Sequence, residues 1–530
     1  MKKNTFYFIT FYRIWKQIGA DIYGEAAGDE SGINVSLSKY GNNVATWSLL
    51  LMLLFNGFFN SVKAQNTKSL NILFIQCDQF RYDCQGKTNP MVKTPYIDKL
   101  TSEGMFFSNA FTPIPTCCPT RQTFISGLWP EQHKGLWNYD ITLPVALFDE
   151  HTWTEDMKSS GYNQGYVGKW HVHPVKTPLD FGFNKYVSDT DYYNWKKFQN
   201  LPEAIPVIKD FIWMGGMDPV SLEKTHTHWL AQKAIDQIRI FKNEGKPWHM
   251  RLEFVEPHLP MNTTAEFLNM YNASEIKPWG NFPDAMINKP YIQKQQLYNW
   301  GIENFSWKEW SVYMQHYYAM ISQTDDAIGR VLNALKELGL SENTIVIFTS
   351  DHGDAAGSHG LMDKHSVMYD EEVHIPLIIK WPGVVKPNSR SEKFVINSLD
   401  LSATIPQMAG FRFMQSQGNS LVPLLKGENP ASWRKYVFSN YNGQQCGLFV
   451  QRMIRNEKWK YIWNLTDTDE LYDLKKDPWE MNNLISNNVY NEVLTVLRHD
   501  LYNDLKDRKD PMASNWAGEK QLLEGKKTVR

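Results

Sequence analysis

The sequence predicts an α/β protein with a large, mostly parallel central sheet flanked by helices, followed by a small antiparallel sheet that carries a helix. Three observations predict it. Asn71 to Cys77 (NILFIQC) is a short apolar run that ends in Asp78 and reads as a strand buried on both faces. Thr344 to Asp351 (TIVIFTSD) repeats that strand–carboxylate junction much later in the chain, with helical patterns in between. Beyond Trp433 the pattern changes to short strands separated by turns.

In chain order, Trp47 to Phe59 (WSLLLMLLFNGFF) is the one membrane-like segment. It is too short to span a bilayer and has the character of a signal-peptide h-region. Val62-Lys63-Ala64 follows, which predicts cleavage after Ala64 and a mature chain starting at Gln65. Residues 1–40 form an unusual n-region, long and carrying Asp21, Glu25, Asp29 and Glu30. The expectation is an exported protein, periplasmic or secreted, with no stable membrane span. Residues 1–64 are then a leader, 65–428 a catalytic domain and 429–530 a C-terminal subdomain.

Thr94-Pro95 opens a helix through Leu100 and Glu103, which Gly104 stops. Apolar residues at helical spacing predict a longer helix over about Trp310 to Leu338. The stretch LKGENPAS at 425–432 is a turn-rich join. After it, Tyr436–Asn440, Leu448–Ile454, Trp459–Asn464 and Glu470–Leu474 read as strands, and about Asn488 to Leu505 as a helix.

The 530 residues exceed what one small core needs, and the net charge of -2 gives no overall pull toward nucleic acid or an anionic membrane. Five cysteines (Cys77, Cys84, Cys117, Cys118 and Cys446) are an odd set for an exported chain, so one is expected to be kept for chemistry. None forms a CxxC pair, which excludes a zinc ribbon or a thioredoxin-like site. The 20 Trp fit core packing first and a carbohydrate-binding cleft second.

Four segments carry chemistry. In Cys117-Cys118-Pro119-Thr120-Arg121, Pro119 suits a first helical turn, so Cys117 is expected just before a helix start where free N–H groups favour an anion. Arg121, four residues on, returns to the same side. In Gly161–His171 (GYNQGYVGKWH), Lys169 offers a compact positive charge and His171 a directional donor. Asp78-Gln79 and Asp351-His352 stand at two strand ends, where α/β sheets gather ligands, and hard carboxylate oxygens there suit a divalent cation. In Phe254–Pro260 (FVEPHLP), His258 follows a strand and is a candidate general acid.

The first segment closely resembles the C-x-P-S/T-R signature of the type I sulfatases, and the second resembles their G-K-x-H signature. The resemblance covers about residues 70–485. It implies the alkaline-phosphatase-like sandwich fold and conversion of Cys117, not Cys118, to formylglycine by a formylglycine-generating or sulfatase-maturating enzyme. Thr120 stands where Ser is commoner. The resemblance further assigns Lys169 and His171 to the sulfate pocket, Lys364, in the stretch after Asp351-His352-Gly353, to sulfate and the leaving oxygen, and His258 to the general-acid role, with Arg121 in the expected catalytic set. It implies a metal held by Asp78, Gln79, Asp351, His352 and the modified Cys117. Gln79 replaces the commoner second Asp, which leaves Mg²⁺ or Mn²⁺ beside Ca²⁺ as the ion.

The chemistry explains the modification. A hydrated aldehyde carries two hydroxyls on one carbon, so one attacks sulfur and the other later expels sulfate. The expected activity is sulfate-ester hydrolysis, with a sulfated oligosaccharide as substrate. The alternatives are a phosphonate monoester or phosphodiester hydrolase with the same nucleophile, and a non-catalytic glycan-binding relative.

Overall fold

The computed structural model describes residues 69–139, 147–209, 212–364, 367–443 and 447–527. The expected leader and Cys446 lie outside the described residues. The described residues belong to one compact unit, Ser69–Arg530.

The central sheet has eight strands: β1 (Asn71–Asp78), β2 (Met105–Phe107), β3 (Asn163–Gly168), β4 (Lys185–Ser188), β5 (Trp248–Pro257), β6 (Thr344–Ser350), β7 (Leu377–Lys380) and β8 (Ser389–Ser391). Their order is β8-β2-β7-β6-β1-β5-β3-β4. Only β7 runs against its neighbours. All other pairs are parallel.

β1 lies at the centre and is buried along its whole length. Its side chains alternate between two cores, as strand geometry requires. Leu73, Ile75 and Cys77 join one apolar cluster, Ile72 and Phe74 another. Each large apolar side chain so buried stabilises the fold by roughly 1.5–3 kcal/mol relative to exposure. The first cluster includes α1 (Pro95–Glu103), α3 (His226–Glu244) and α4 (Trp307–Glu337), and the second includes α2 (Cys117–Ser126) and α5 (Asn397–Met408). The sheet is therefore a middle layer between helices.

The C-terminal sheet is β9 (Val437–Tyr441), β10 (Gln451–Arg455), β11 (Trp459–Asn464) and β12 (Glu470–Asp473), antiparallel throughout. Leu494, Leu497, Leu501 and Leu505 of α6 (Asn491–Asp507) cluster with Ile454, Tyr461 and Trp463. The expected strand Leu448–Ile454 starts later, at Gln451. Among the described residues no helix is long and apolar enough to cross a membrane.

Candidate active site

Strand register builds the site. β1 pairs with β6 so that Cys77 lies opposite Ser350. The next residues, Asp78 and Asp351, therefore reach the same edge of the sheet, both wholly buried. Cys117 is the first residue of α2, one position further in than the sequence suggests. Its Sγ lies 3.1 Å from His352 Nε2 and 3.7 Å from Asp78 Oδ1. One donor atom from each of Asp78, Cys117, Asp351 and His352 falls within a group spanning at most 4.8 Å.

His352 Nδ1 is 2.9 Å from the Gly353 carbonyl oxygen, an acceptor only, so Nδ1 carries a proton. That leaves Nε2 turned to the cluster. Two carboxylates, an imidazole nitrogen and the Cys117 position are donors that fit a divalent cation. Gln79, held at a positive φ of 69, places its amide oxygen 2.7 Å from Lys364 Nζ and its amide nitrogen 2.5 Å from Asp354 Oδ2. The amide oxygen keeps a second lone pair for an ion.

Arg121 lies behind the carboxylates instead of at the surface. Its guanidinium reaches Asp78 Oδ2 at 3.1 Å, Glu253 Oε2 at 2.8 Å and Asp351 Oδ2 at 2.9 Å. It fixes the acidic side chains in place. Thr120 steadies the backbone nearby. Its Oγ1 donates to the Ile114 carbonyl at 2.5 Å, closing the turn that leads into Cys117.

Lys169 follows Gly168, whose φ is +105 and where a Cβ would stand 1.9 Å from the Glu253 carbonyl oxygen. Only glycine permits that approach. The turn aims Lys169 Nζ at Asp78 Oδ2, 2.6 Å away. His171, also at positive φ, packs edge-on to Tyr139. His258 Nδ1 is 2.8 Å from the Leu259 carbonyl oxygen, so it holds a proton there and leaves Nε2 for exchange.

Charge is tightly matched. Burial would raise the Asp78 pKa, but Lys169 foremost, with His258, Arg121 and His352, holds it well below the usual carboxylate range. Burial and Asp78 push the Cys117 thiol up, yet Lys169, Lys364 and His352 together bring it down to about 5. Burial, then Lys364, lowers His258 to about 3. Burial opposes the charge on His352, but Asp351 and Cys117 raise it to about 9.

Sequence reasoning missed Glu253, the Arg121 partner, and Asp354, the Gln79 partner. Glu253 had a signal, a carboxylate inside the buried strand RLEFVEP. Asp354 accepts from Gln79 and from Tyr313 Oη at 3.1 Å, a pairing across the fold that no local pattern encodes. A cleft of about 480 Å³ opens over Cys117, with Lys169, His171, His258, Asn138 and Tyr139 among its walls.

The chain matches the sulfatase family over residues 70–411 and the N-sulphoglucosamine sulphohydrolase C-terminal family over 357–507. An arylsulfatase of Clostridium perfringens is 27% identical over 83% of this chain and 95% of its own. An N-acetylglucosamine-6-O-sulfatase of Bacteroides thetaiotaomicron is 27% identical over 90% and 93% respectively. Among solved structures, one in complex with its substrate D-glucosamine-2-N,6-O-disulfate has a TM-score of 0.68 at 22% identity, covering 84% of this chain and 99% of the other. A phosphonate monoester hydrolase from Silicibacter pomeroyi has 0.72 at 20% identity, covering 84% and 97%. These two structures share the fold.

Proposed function

This chain belongs to the sulfatase family and is a sulfuric ester hydrolase, and on that premise we propose that it desulfates a sulfated carbohydrate, using formylglycine made from Cys117 and a divalent cation. The observation that carries this reading is the buried cluster of Asp78, Cys117, Asp351 and His352, with Lys169 at its edge. Relatives named for N-acetylglucosamine-6-O-sulfate and hexuronate-2-O-sulfate support the carbohydrate substrate.

Cys117 stands here for the modified residue, which supplies two hydroxyls on one carbon for attack and release. Asp78, Gln79, Asp351, His352 and the modified Cys117 would hold the cation, Ca²⁺ or else Mg²⁺ or Mn²⁺, which would supply Lewis-acid polarisation of a sulfate oxygen. Lys169, His171 and Lys364 bind the sulfate oxygens and balance the charge that grows during transfer. Arg121 keeps the carboxylates aimed. His258 is held neutral mainly by burial and by the lysine charges. The arriving anionic ester offsets those lysine charges, so Nε2 takes up a proton and passes it to the leaving alkoxide.

The reading includes export after removal of residues 1–64, maturation by a formylglycine-forming enzyme, and a catalytic part (65–428) followed by a subdomain (429–530). The test is a panel of singly sulfated sugars, an aryl sulfate and a phosphodiester offered to matured enzyme. Sulfate release that disappears in Cys117→Ala is the expected result. A phosphodiester rate above every sulfate ester would support the phosphonate monoester or phosphodiester hydrolase reading instead.

A further inference from the structure

Among the described residues, the lysines on the cleft walls are ion-paired, while one carboxylate there has no hydrogen bond or ion pair. Lys169 is paired with Asp78 at 2.6 Å and Lys176 with Asp149 at 2.5 Å. Among the described residues Asp189 is the one carboxylate lining the cleft, and none of them hydrogen-bonds or ion-pairs with its side chain. It is half-exposed at the start of the helix Asp189–Phe198, beside Thr190, which also lines the cleft. Nearby, His226 is hydrogen-bonded to Glu256 at 2.7 Å. Burial disfavours the charge on His226, but Glu256 and then Asp189 raise its pKa, so Asp189 acts on His226 through space while making no hydrogen bond to it.

His173, on the same cleft, accepts the Val175 and Lys176 amides at Nδ1, at 3.0 and 2.7 Å. Its Nε2 is therefore protonated and a donor. The described wall beyond the sulfate pocket thus offers one fixed donor and one anionic acceptor that no hydrogen bond occupies. A sulfated sugar brings both kinds of complement in its hydroxyls, whereas a second sulfate or a carboxylate would meet Asp189 as a like charge.

Resting on the proposed desulfation of a carbohydrate, we infer that Asp189 is a specificity-determining residue. Its carboxylate accepts hydrogen bonds from the hydroxyl or amine donors of the bound sugar and disfavours a second anionic group on that side. The substrate class is then a sugar unit with one sulfate in the pocket and donors facing Asp189.

Matured full-length enzyme and its Asp189→Ala and Asp189→Asn variants test this. The probes are glucose, galactose and N-acetylglucosamine with one O-sulfate each, their disulfated counterparts, and 4-nitrophenyl sulfate. For the best sugar, Asp189→Ala is expected to lower kcat/KM by roughly 10- to 100-fold more than it does for the aryl ester. Asp189→Asn is expected to narrow the preference for singly over doubly sulfated sugar. Equal losses on all substrates, together with a lower Tm, would mean that Asp189 only supports its helix, and would overturn the inference. Unchanged ratios in both variants would overturn it too. A matured wild-type enzyme that releases sulfate from no sugar fails the parent reading before any variant is compared, and this one with it.

Discussion

Lys169 touches Asp78 and lines the cleft, so in the proposed mechanism it serves charge in both the metal cluster and the sulfate pocket. Replacing it with Ala removes one cation from the developing charge. The expected loss is about 10²- to 10³-fold in kcat, measured on any turned-over sulfate ester. His258 differs because its role depends on the leaving group. His258→Ala is expected to slow alkyl sulfates by roughly 10²- to 10⁴-fold and aryl sulfates much less, since a phenolate leaves without full protonation. Equal losses on both would remove it as the acid. Both residues were legible in the sequence because each stands in a short motif. Arg121 was legible as a site residue but not in its place: the sequence reveals its helix side, while its three carboxylate partners come from two strand ends and the interior of a third strand.

At the scale of elements, α2, the ends of β1 and β6 and the interior of β5 form one electrostatic unit through Arg121. Arg121→Met leaves Asp78, Asp351 and Glu253 buried without their shared cation, and is expected to cost roughly 3–5 kcal/mol of stability. Thermal or urea denaturation measures that loss. Arg121→Lys retains charge but not the fork that spans three partners, and is expected to rescue only part. His133, which bonds the Thr123 hydroxyl of α2, gives a pH signature. Burial lowers it to about 3, below its unfolded value near 6.5. Its contribution is full above pH 6.5 and is lost as pH falls toward 3, at up to about 1.4 kcal/mol per pH unit. His133→Gln is expected to show a shallower acid decline than wild type when denaturation at pH 7 and pH 4.5 is compared. The strands β1, β6 and β11 and the helices α1 and α4 follow from apolar patterning and stop signals. The start of β10 does not, because Leu448 and Phe449 are apolar without pairing in the sheet, and Leu448 is largely exposed.

For the whole molecule, the parallel register that sets Asp78 beside Asp351 turns two distant sequence segments into one buried cluster, the proposed cation site. Chelation by EDTA is expected to abolish sulfate release and lower Tm, and added Ca²⁺, Mg²⁺ or Mn²⁺ to restore both. The cluster and the fold class could be read from motifs and strand–carboxylate junctions. The cleft wall could not, because Asp189, His173 and Lys176 meet only after β3, β4 and the loop between them have packed. Cys117 is the centre of the proposed chemistry, and its chemical state tests that chemistry most directly. Mass spectrometry of the peptide containing residue 117, from enzyme produced with a formylglycine-forming partner and active on a sulfate ester, is predicted to find an aldehyde in place of the thiol. An intact Cys117 thiol throughout fully active protein would contradict it.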